Sequence, residues 1–151
     1  WRFLAMCVFG MRISDAMHLD NSYINDAGHL QFTPYKTRNY GNVAQVPVVG
    51  ERQRRYLQKT FDHPLQSNDH KSFRTIFNEQ LLILAAHAGI EVHLTSHVGR
   101  HTMGGILVDA DISEEVSKKM LGVKSNNTIK IYRHLKESKL LKEAQKLNGL
   151  L

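Results

Sequence analysis

The sequence predicts an α+β domain that is mainly α-helical and carries one small three-stranded antiparallel sheet. Most of the chain places apolar residues at the three-and-four spacing of amphipathic helices. Residues 22–49 instead form short β-prone pieces separated by turn compositions. With 151 residues the chain has the size of one domain and can bury a core of its own. We therefore expect a single domain over residues 1–151.

The N-terminal segment is predicted to form two short helices. They cover residues 1–9 and 12–19, and Gly10 separates them because glycine is a poor helix former. Arg12 lies at their junction. The chain opens with Trp1, rather than methionine, inside an apolar stretch, so we expect it to be a piece of a longer protein.

The predicted sheet follows these two helices. Its three strands are expected near residues 22–24, 29–35 and 43–48. The connecting segments, residues 25–28 and 38–42, contain the asparagine, aspartate and glycine residues that favour turns. Strands joined by such short turns pair in the antiparallel sense.

The remaining chain is predicted to be helical in six segments, at residues 51–60, 72–88, 96–108, 112–121, 125–132 and 135–147. The apolar spacing within 72–88 indicates a core helix. Thr95 or Ser96 is expected to cap the third segment, and Asp111 with Glu114 forms a predicted capping pair for the fourth. The last segment has an apolar stripe that suits either packing within the domain or docking on a neighbouring subunit.

The composition favours a nucleic-acid partner and a reducing compartment. Lysine and arginine outnumber aspartate and glutamate by 20 to 14, and the resulting formal charge of +6 suits a polyanion. Cys7 is the one cysteine and cannot form an internal disulfide, so we expect a cytoplasmic protein. No apolar run approaches the roughly 20 residues that a membrane-spanning helix needs, which argues against a membrane protein.

Residues 97–102, with the sequence HVGRHT, have the features of a phosphate-binding helix start. They place His97, Arg100 and His101 on one helix face, and the helix N-terminus adds free N–H groups and a positive dipole. Two alternatives are a structural role for the histidines and zinc binding by His97 and His101. Zinc is less favoured because Val98 stands where the H-E-x-x-H motif has glutamate.

This motif belongs to an ordered series along the chain. The series comprises Gly10-Met11-Arg12-Ile13-Ser14-Asp15, Lys36 between Tyr35 and Thr37, residues 97–102, Leu121-Gly122, and Tyr132. It resembles the tyrosine recombinases of the phage integrase family. The first box of that family has the pattern G-[LM]-R-[IL]-S-E. It is followed by a lysine in a β-hairpin, an H-x-x-R-H-T box, an L-G-H box and a tyrosine. The likeness extends from about Phe3 to His134.

The resemblance implies the DNA breaking-rejoining fold of a tyrosine recombinase catalytic domain and a role for each motif residue. Arg12 and Arg100 would clamp the scissile phosphate, Lys36 would act as the general acid, His97 would assist proton transfer and Tyr132 would be the nucleophile. Two arginines can replace a metal ion in stabilising the transition-state charge. A phosphotyrosine bond keeps the energy of the broken phosphodiester, so we expect no cofactor.

The resemblance also implies partners for the full protein. These are double-stranded DNA, three further copies of the chain in a homo-tetramer, and an accessory DNA-bending protein, at the nucleoid in the bacterial cytoplasm. An N-terminal DNA-binding domain is expected to be missing from this chain. The residues expected to contact DNA are Arg12, Lys36, Arg38, Arg100 and Lys124.

The chain departs from the family pattern at Val123, where the family usually has histidine and sometimes tryptophan. Valine cannot donate a hydrogen bond, and loss of one preorganised donor typically raises the barrier by about 3 kcal/mol. We hypothesise that Lys124 or Asn126 reaches the phosphate instead. Two other readings of the whole chain remain, namely a DNA-binding module without catalysis and a type IB topoisomerase-like enzyme.

Other roles are open for individual residues. An alternative role for Arg12 is a surface ion pair with Asp15. Arg38 is an alternative to Lys36 as the active cation of the turn. Tyr132 is selected among five tyrosines because it follows Leu121 by eleven residues.

Overall fold

The computed structural model describes residues 1–65, 70–125 and 130. Six helices lie within them, α1 (Arg2–Phe9), α2 (Ile13–Ala16), α3 (Glu51–Phe61), α4 (His70–His87), α5 (Ser96–Asp109) and α6 (Glu114–Leu121). These confirm the helices predicted between residues 1 and 121. Apart from Ser125 and Lys130, the two predicted helices at 125–132 and 135–147 lie outside the described residues. None of the helices in the described part is long and apolar enough to cross a membrane.

Within the described residues the sheet has two strands, so the prediction of three was wrong in number. Strands β1 (His29–Phe32) and β2 (Ala44–Pro47) pair antiparallel. The predicted first strand is reduced to one isolated bridge between Ile24 and Leu30. The residues before it form a 3₁₀ turn because the Asp20 carboxylate accepts the N–H of Ser22 at 2.8 Å, which bends the chain locally.

The connection between the strands is a 3₁₀ helix, Tyr35–Tyr40, which carries Lys36. The predicted second strand therefore ends earlier, at Phe32. The N–H of Tyr35 donates to Oδ1 of Asp15 at 2.7 Å. This bond ties the turn to α2, and so fixes the position of Lys36 relative to the N-terminal helices.

The core lies between α1, α3, α5 and the sheet. Helix α1 packs directly on α5, and a Cβ added at Gly99 would lie 3.0 Å from Cβ of Met6. Helix α4 contributes a narrow buried stripe that includes Leu81, whereas Ile76 is 55% exposed and Leu84 is 60% exposed. The prediction of a core helix therefore holds for only one face of α4.

Two helix starts use caps that the sequence analysis did not identify. Thr95 precedes α5 without a side-chain capping bond, and the N–H of Ser96 donates instead to Oδ1 of Asn78 on α4 at 2.8 Å. Helix α6 is capped by Ser113, whose hydroxyl accepts the N–H of Val116 at 3.4 Å. The predicted capping role of Asp111 was wrong, because that residue has a φ of 56° in the preceding turn.

Replacement of Gly122 by alanine should lower the free energy of unfolding by about 2 kcal/mol. Gly122 has a φ of +60°, and an added Cβ would lie 2.6 Å from Cγ of Pro34 and 2.9 Å from Cβ of Ala44. Urea denaturation measures the change. Gly105→Ala is the matched control, since nothing lies within 4 Å of its added Cβ. Because alanine has the higher helix propensity, the free energy of unfolding of this variant should stay unchanged or rise by about 0.5–1 kcal/mol. Equal unfolding midpoints for the two variants would contradict the packing argument.

Candidate active site

One cavity of about 380 Å³ gathers most of the residues selected from the sequence. Arg12, Lys36, His97 and Arg100 all line it, although they come from α2's start, the 3₁₀ turn and α5. The other lining residues are Ile13, Ser14, Met17, Arg74 and Ser96. The wall therefore combines three arginines, a lysine and an imidazole, a composition suited to an anion.

Arg100 is fixed by backbone carbonyls. The residue is buried, and its guanidinium donates to the carbonyl oxygen of Gly10 at 2.6 Å and to that of Leu121 at 2.8 Å. Arginine has five N–H donors in a rigid fork, and these two bonds set the orientation of that fork. Arg100 thus lines the cavity while its guanidinium is held between the C-terminal ends of α1 and α6.

Arg12 has a buried nitrogen that lacks a partner in the described part of the chain. It precedes α2 in an extended conformation, and its Nη1 is inaccessible to solvent with no hydrogen-bond acceptor among the described residues. The structure shows no ion pair between Arg12 and Asp15. Oδ1 of Asp15 accepts the N–H of Tyr35, and its Oδ2 is itself buried without a hydrogen-bond partner among the described residues. A buried, unpaired donor is destabilising by about 1–3 kcal/mol, so the position favours an anionic ligand.

Asp15 is an acidic residue that interacts with two of these cations, Arg12 and Arg100. Burial raises the pKa of its carboxyl group, while the Tyr35 N–H and the charges of Arg12 and Arg100 act in the opposite direction. Its role in the structure is to hold the turn that carries Lys36.

Lys36 and Arg38 differ in position although they share one turn. Lys36 is exposed to solvent and lines the cavity. The guanidinium of Arg38 instead lies over the ring of Tyr35, 4.2 Å from its centroid, and is not part of the cavity wall. The geometry therefore favours Lys36 over Arg38 as the cation that acts inside the cavity.

His97 lies in the first turn of α5 and is surrounded by positive groups. Its pKa is lowered first by partial burial and then by the charges of His101, Arg100, Arg12 and Arg74. The imidazole is consequently neutral at neutral pH and can accept a proton. The His101 ring lies 6.3 Å from that of His97, centroid to centroid, and does not line the cavity.

Arg74 on α4 is a cavity residue that the sequence analysis missed. It lies four residues before Asn78, whose side chain binds the start of α5. The i, i+4 spacing on one helix face was the available sequence signal. That signal is weak without knowledge of which face of α4 meets α5.

The remaining selected residues lie away from the cavity or outside the described part of the chain. Val123 is partly buried against the hydrophobic core. The ammonium group of Lys124 lies 5.5 Å above the ring of Tyr40 and does not line the cavity. Tyr132 and Asn126 lie outside the described residues.

The described residues contain no group of three or more histidine, cysteine, aspartate or glutamate side chains arranged to hold a metal ion. The zinc alternative for His97 and His101 therefore finds no third ligand in that part of the chain. The cavity wall presents buried and exposed cations beside a neutral imidazole. Such a set can bind a phosphate group and move a proton at its edge.

Comparison with known proteins points to one family. The sequence profile of the phage integrase family matches residues 3–139. A tyrosine recombinase from Agathobacter rectalis is 38% identical over 55 residues, which cover 36% of this chain and 18% of that protein. This chain thus spans only a small part of that relative's length.

Solved structures share the fold. The XerH site-specific recombinase, in a post-cleavage complex with a palindromic difH substrate, matches with a TM-score of 0.64 and 16% identity, over 95% of this chain and 44% of that one. A lambda integrase dimer bound to a COC′ core site matches with a TM-score of 0.63 and 20% identity, over 87% of this chain and 50% of that one. The match confirms the predicted fold class.

The His97 imidazole should titrate at a lower pH than an unperturbed histidine, whose pKa is about 6.5, because burial and nearby cations disfavour its protonated form. NMR of the ring protons measures the midpoint, and His97→Gln identifies the signal. Since the unfolded chain then binds this proton more readily, the His97 contribution to stability should be lost as the pH falls through the histidine range. A midpoint at or above the ordinary value would refute the electrostatic description.

Proposed function

This chain belongs to the phage integrase family, and we propose that it is the catalytic domain of a site-specific recombinase or integrase that cleaves and rejoins double-stranded DNA through a covalent 3′-phosphotyrosine intermediate. The observation that carries the proposal is the single cavity lined by Arg12, Lys36, His97 and Arg100. These four residues match the family motifs in type and order, and they come from distant parts of the chain.

The two arginines of the motifs are proposed to bind the non-bridging oxygens of the scissile phosphate. Arg100 is held by two carbonyl oxygens, and Arg12 has a buried nitrogen with no acceptor among the described residues. A phosphate oxygen would supply that acceptor. Because the pentacoordinate transition state carries more charge on these oxygens than the substrate does, fixed guanidinium groups stabilise it preferentially.

The proposed cleavage step transfers the phosphoryl group from DNA to Tyr132. The phenol oxygen of Tyr132 attacks phosphorus as its proton passes to the neutral imidazole of His97, and a new oxygen–phosphorus bond forms. The bond from phosphorus to the 5′-oxygen breaks, and Lys36 donates a proton to that leaving oxygen. The products are a 3′-phosphotyrosine and a free 5′-hydroxyl. Attack by a 5′-hydroxyl from another strand reverses these transfers and rejoins the DNA.

The full protein is proposed to act as a homo-tetramer on two DNA sites, with an accessory DNA-bending protein, at the nucleoid of the bacterial cytoplasm. The net charge of +6 supports a DNA partner. A DNA-binding domain preceding residue 1 is proposed to contribute to site recognition. Lys124 and Arg38 lie off the cavity wall, so their proposed contacts are with DNA outside the reacting phosphate.

A DNA-binding module without catalysis is the second candidate, and the position of Val123 favours it. Val123 is partly buried against the core. Its hydrocarbon side chain has no hydrogen-bond donor, whereas the family has histidine or tryptophan at this position. Detection of a covalent intermediate separates the two candidates.

Tyr132→Phe should abolish a covalent protein–DNA adduct that the unchanged chain forms on a nicked suicide substrate carrying its recombination site. Phenylalanine has no oxygen with which to attack phosphorus, whereas the rest of the side chain is retained. Denaturing gel electrophoresis of labelled DNA detects the adduct. Tyr40→Phe is the matched control, because Tyr40 is 67% exposed on the turn and outside the cavity wall. An adduct that persists in Tyr132→Phe would exclude Tyr132 as the nucleophile. An adduct that disappears equally in Tyr40→Phe would contradict the assignment of the loss to Tyr132 alone.

Lys36→Ala should slow cleavage of an ordinary phosphodiester by about 10²- to 10⁴-fold, the usual contribution of a general acid. A substrate with sulfur in place of the bridging 5′-oxygen should be cleaved at nearly the unchanged rate, because a thiolate leaves without protonation. Single-turnover cleavage of both substrates gives the ratio of rates.

Arg38→Ala is the control on the same turn. It removes a cation that lies over Tyr35 rather than in the cavity, so it should leave the ratio of oxygen to sulfur cleavage unchanged. Equal slowing of both substrates by Lys36→Ala would assign Lys36 to phosphate binding alone.

A further inference from the structure

We propose that Arg74 on α4 is an additional DNA-contacting residue, which binds a backbone phosphate of the DNA held in the cavity. It lines the same cavity as Arg12 and Arg100 but comes from a different helix. It corresponds to none of the sequence motifs described above. The inference rests on the proposed function, because it takes DNA as the ligand of this cavity.

The position of Arg74 is set by the contact between α4 and α5. Asn78, one turn further along α4, accepts the N–H of Ser96 at 2.8 Å. Leu81 is buried on the next turn. Because residues at i and i+4 share a helix face, the bond that caps α5 also directs Arg74 toward the cavity beside His97.

The charge of Arg74 is available for a ligand. The residue is exposed, and the structure shows neither a hydrogen bond nor an ion pair between its side chain and any described residue. Its charge also lowers the pKa of His97, after burial, His101, Arg100 and Arg12. An arginine near other cations, with no carboxylate bonded to it among the described residues, favours binding of a polyanion.

Binding of a short fluorescent DNA duplex across a range of salt concentrations tests the assignment. Each phosphate contact releases condensed counterions, so loss of one contact should reduce the slope of log affinity against log salt by about 0.9. Contacts with phosphates do not require a particular sequence, so an arbitrary duplex serves as the probe. Arg74→Gln should show this reduction, and Arg74→Lys should retain the slope because the positive charge remains.

Arg54→Gln is the matched control. Arg54 is exposed on α3 and does not line the cavity, and its replacement changes the net charge of the chain by the same amount. Its slope should equal that of the unchanged chain. An unchanged slope in Arg74→Gln, or an equal reduction in Arg54→Gln, would overturn the role of Arg74 while leaving the proposed function in place. A flat salt response of the unchanged chain would overturn both.

Discussion

The site depends on the two hydrogen bonds of the Arg100 guanidinium, because they join it to backbone near the beginning and near the end of the described chain. The guanidinium donates to the carbonyl oxygens of Gly10 and Leu121. Both acceptors lie at turns that need glycine: Gly10 has a φ of 65°, and Gly122, which follows Leu121, has a φ of 60°. A buried cation without such acceptors would strongly oppose folding. The cavity is therefore assembled only when α1, α5 and α6 are packed together.

The same packing gathers positive charge at the cavity, which carboxylates among the described residues offset only in part. Arg12 has a buried nitrogen that lacks an acceptor among the described residues, and Asp15, whose carboxylate interacts with Arg12 and Arg100, is bonded to the turn that carries Lys36. This arrangement reduces the stability of the free domain. It also preorganises the site, because the cations need not exchange an internal partner for the ligand. The unpaired nitrogen of Arg12 thus lowers the stability of the free domain and raises its affinity for an anion.

Local patterns were sufficient to predict the helices and the motif residues, whereas tertiary contacts decided the rest. The helix from Ser96 was predicted, but its cap is the distant Asn78, which only the packing of α4 on α5 reveals. The first strand was wrong because the Asp20 carboxylate competes locally for the backbone. Arg74 was missed for the same reason as the cap, namely that the face of α4 that meets α5 is not evident from the sequence. The exposed face of α4 also carries apolar side chains such as Ile76, so apolar spacing does not identify the buried face. Motif order identified Arg12 and Arg100, but the carbonyl bonds that fix Arg100 have no sequence signal.

Anion binding and proton acceptance at this site are coupled through one set of charges. The cations that favour a phosphate also disfavour a proton on His97, after the effect of burial, and so keep the imidazole neutral in the free protein. A bound phosphate offsets part of this positive field, so the imidazole becomes more basic when the substrate is present. In the proposed reaction, His97 would then be an uncharged acceptor before DNA binds and a stronger base once the phosphate lies between Arg12 and Arg100. In that reaction, the presence of bound DNA would therefore favour proton transfer from Tyr132 to His97.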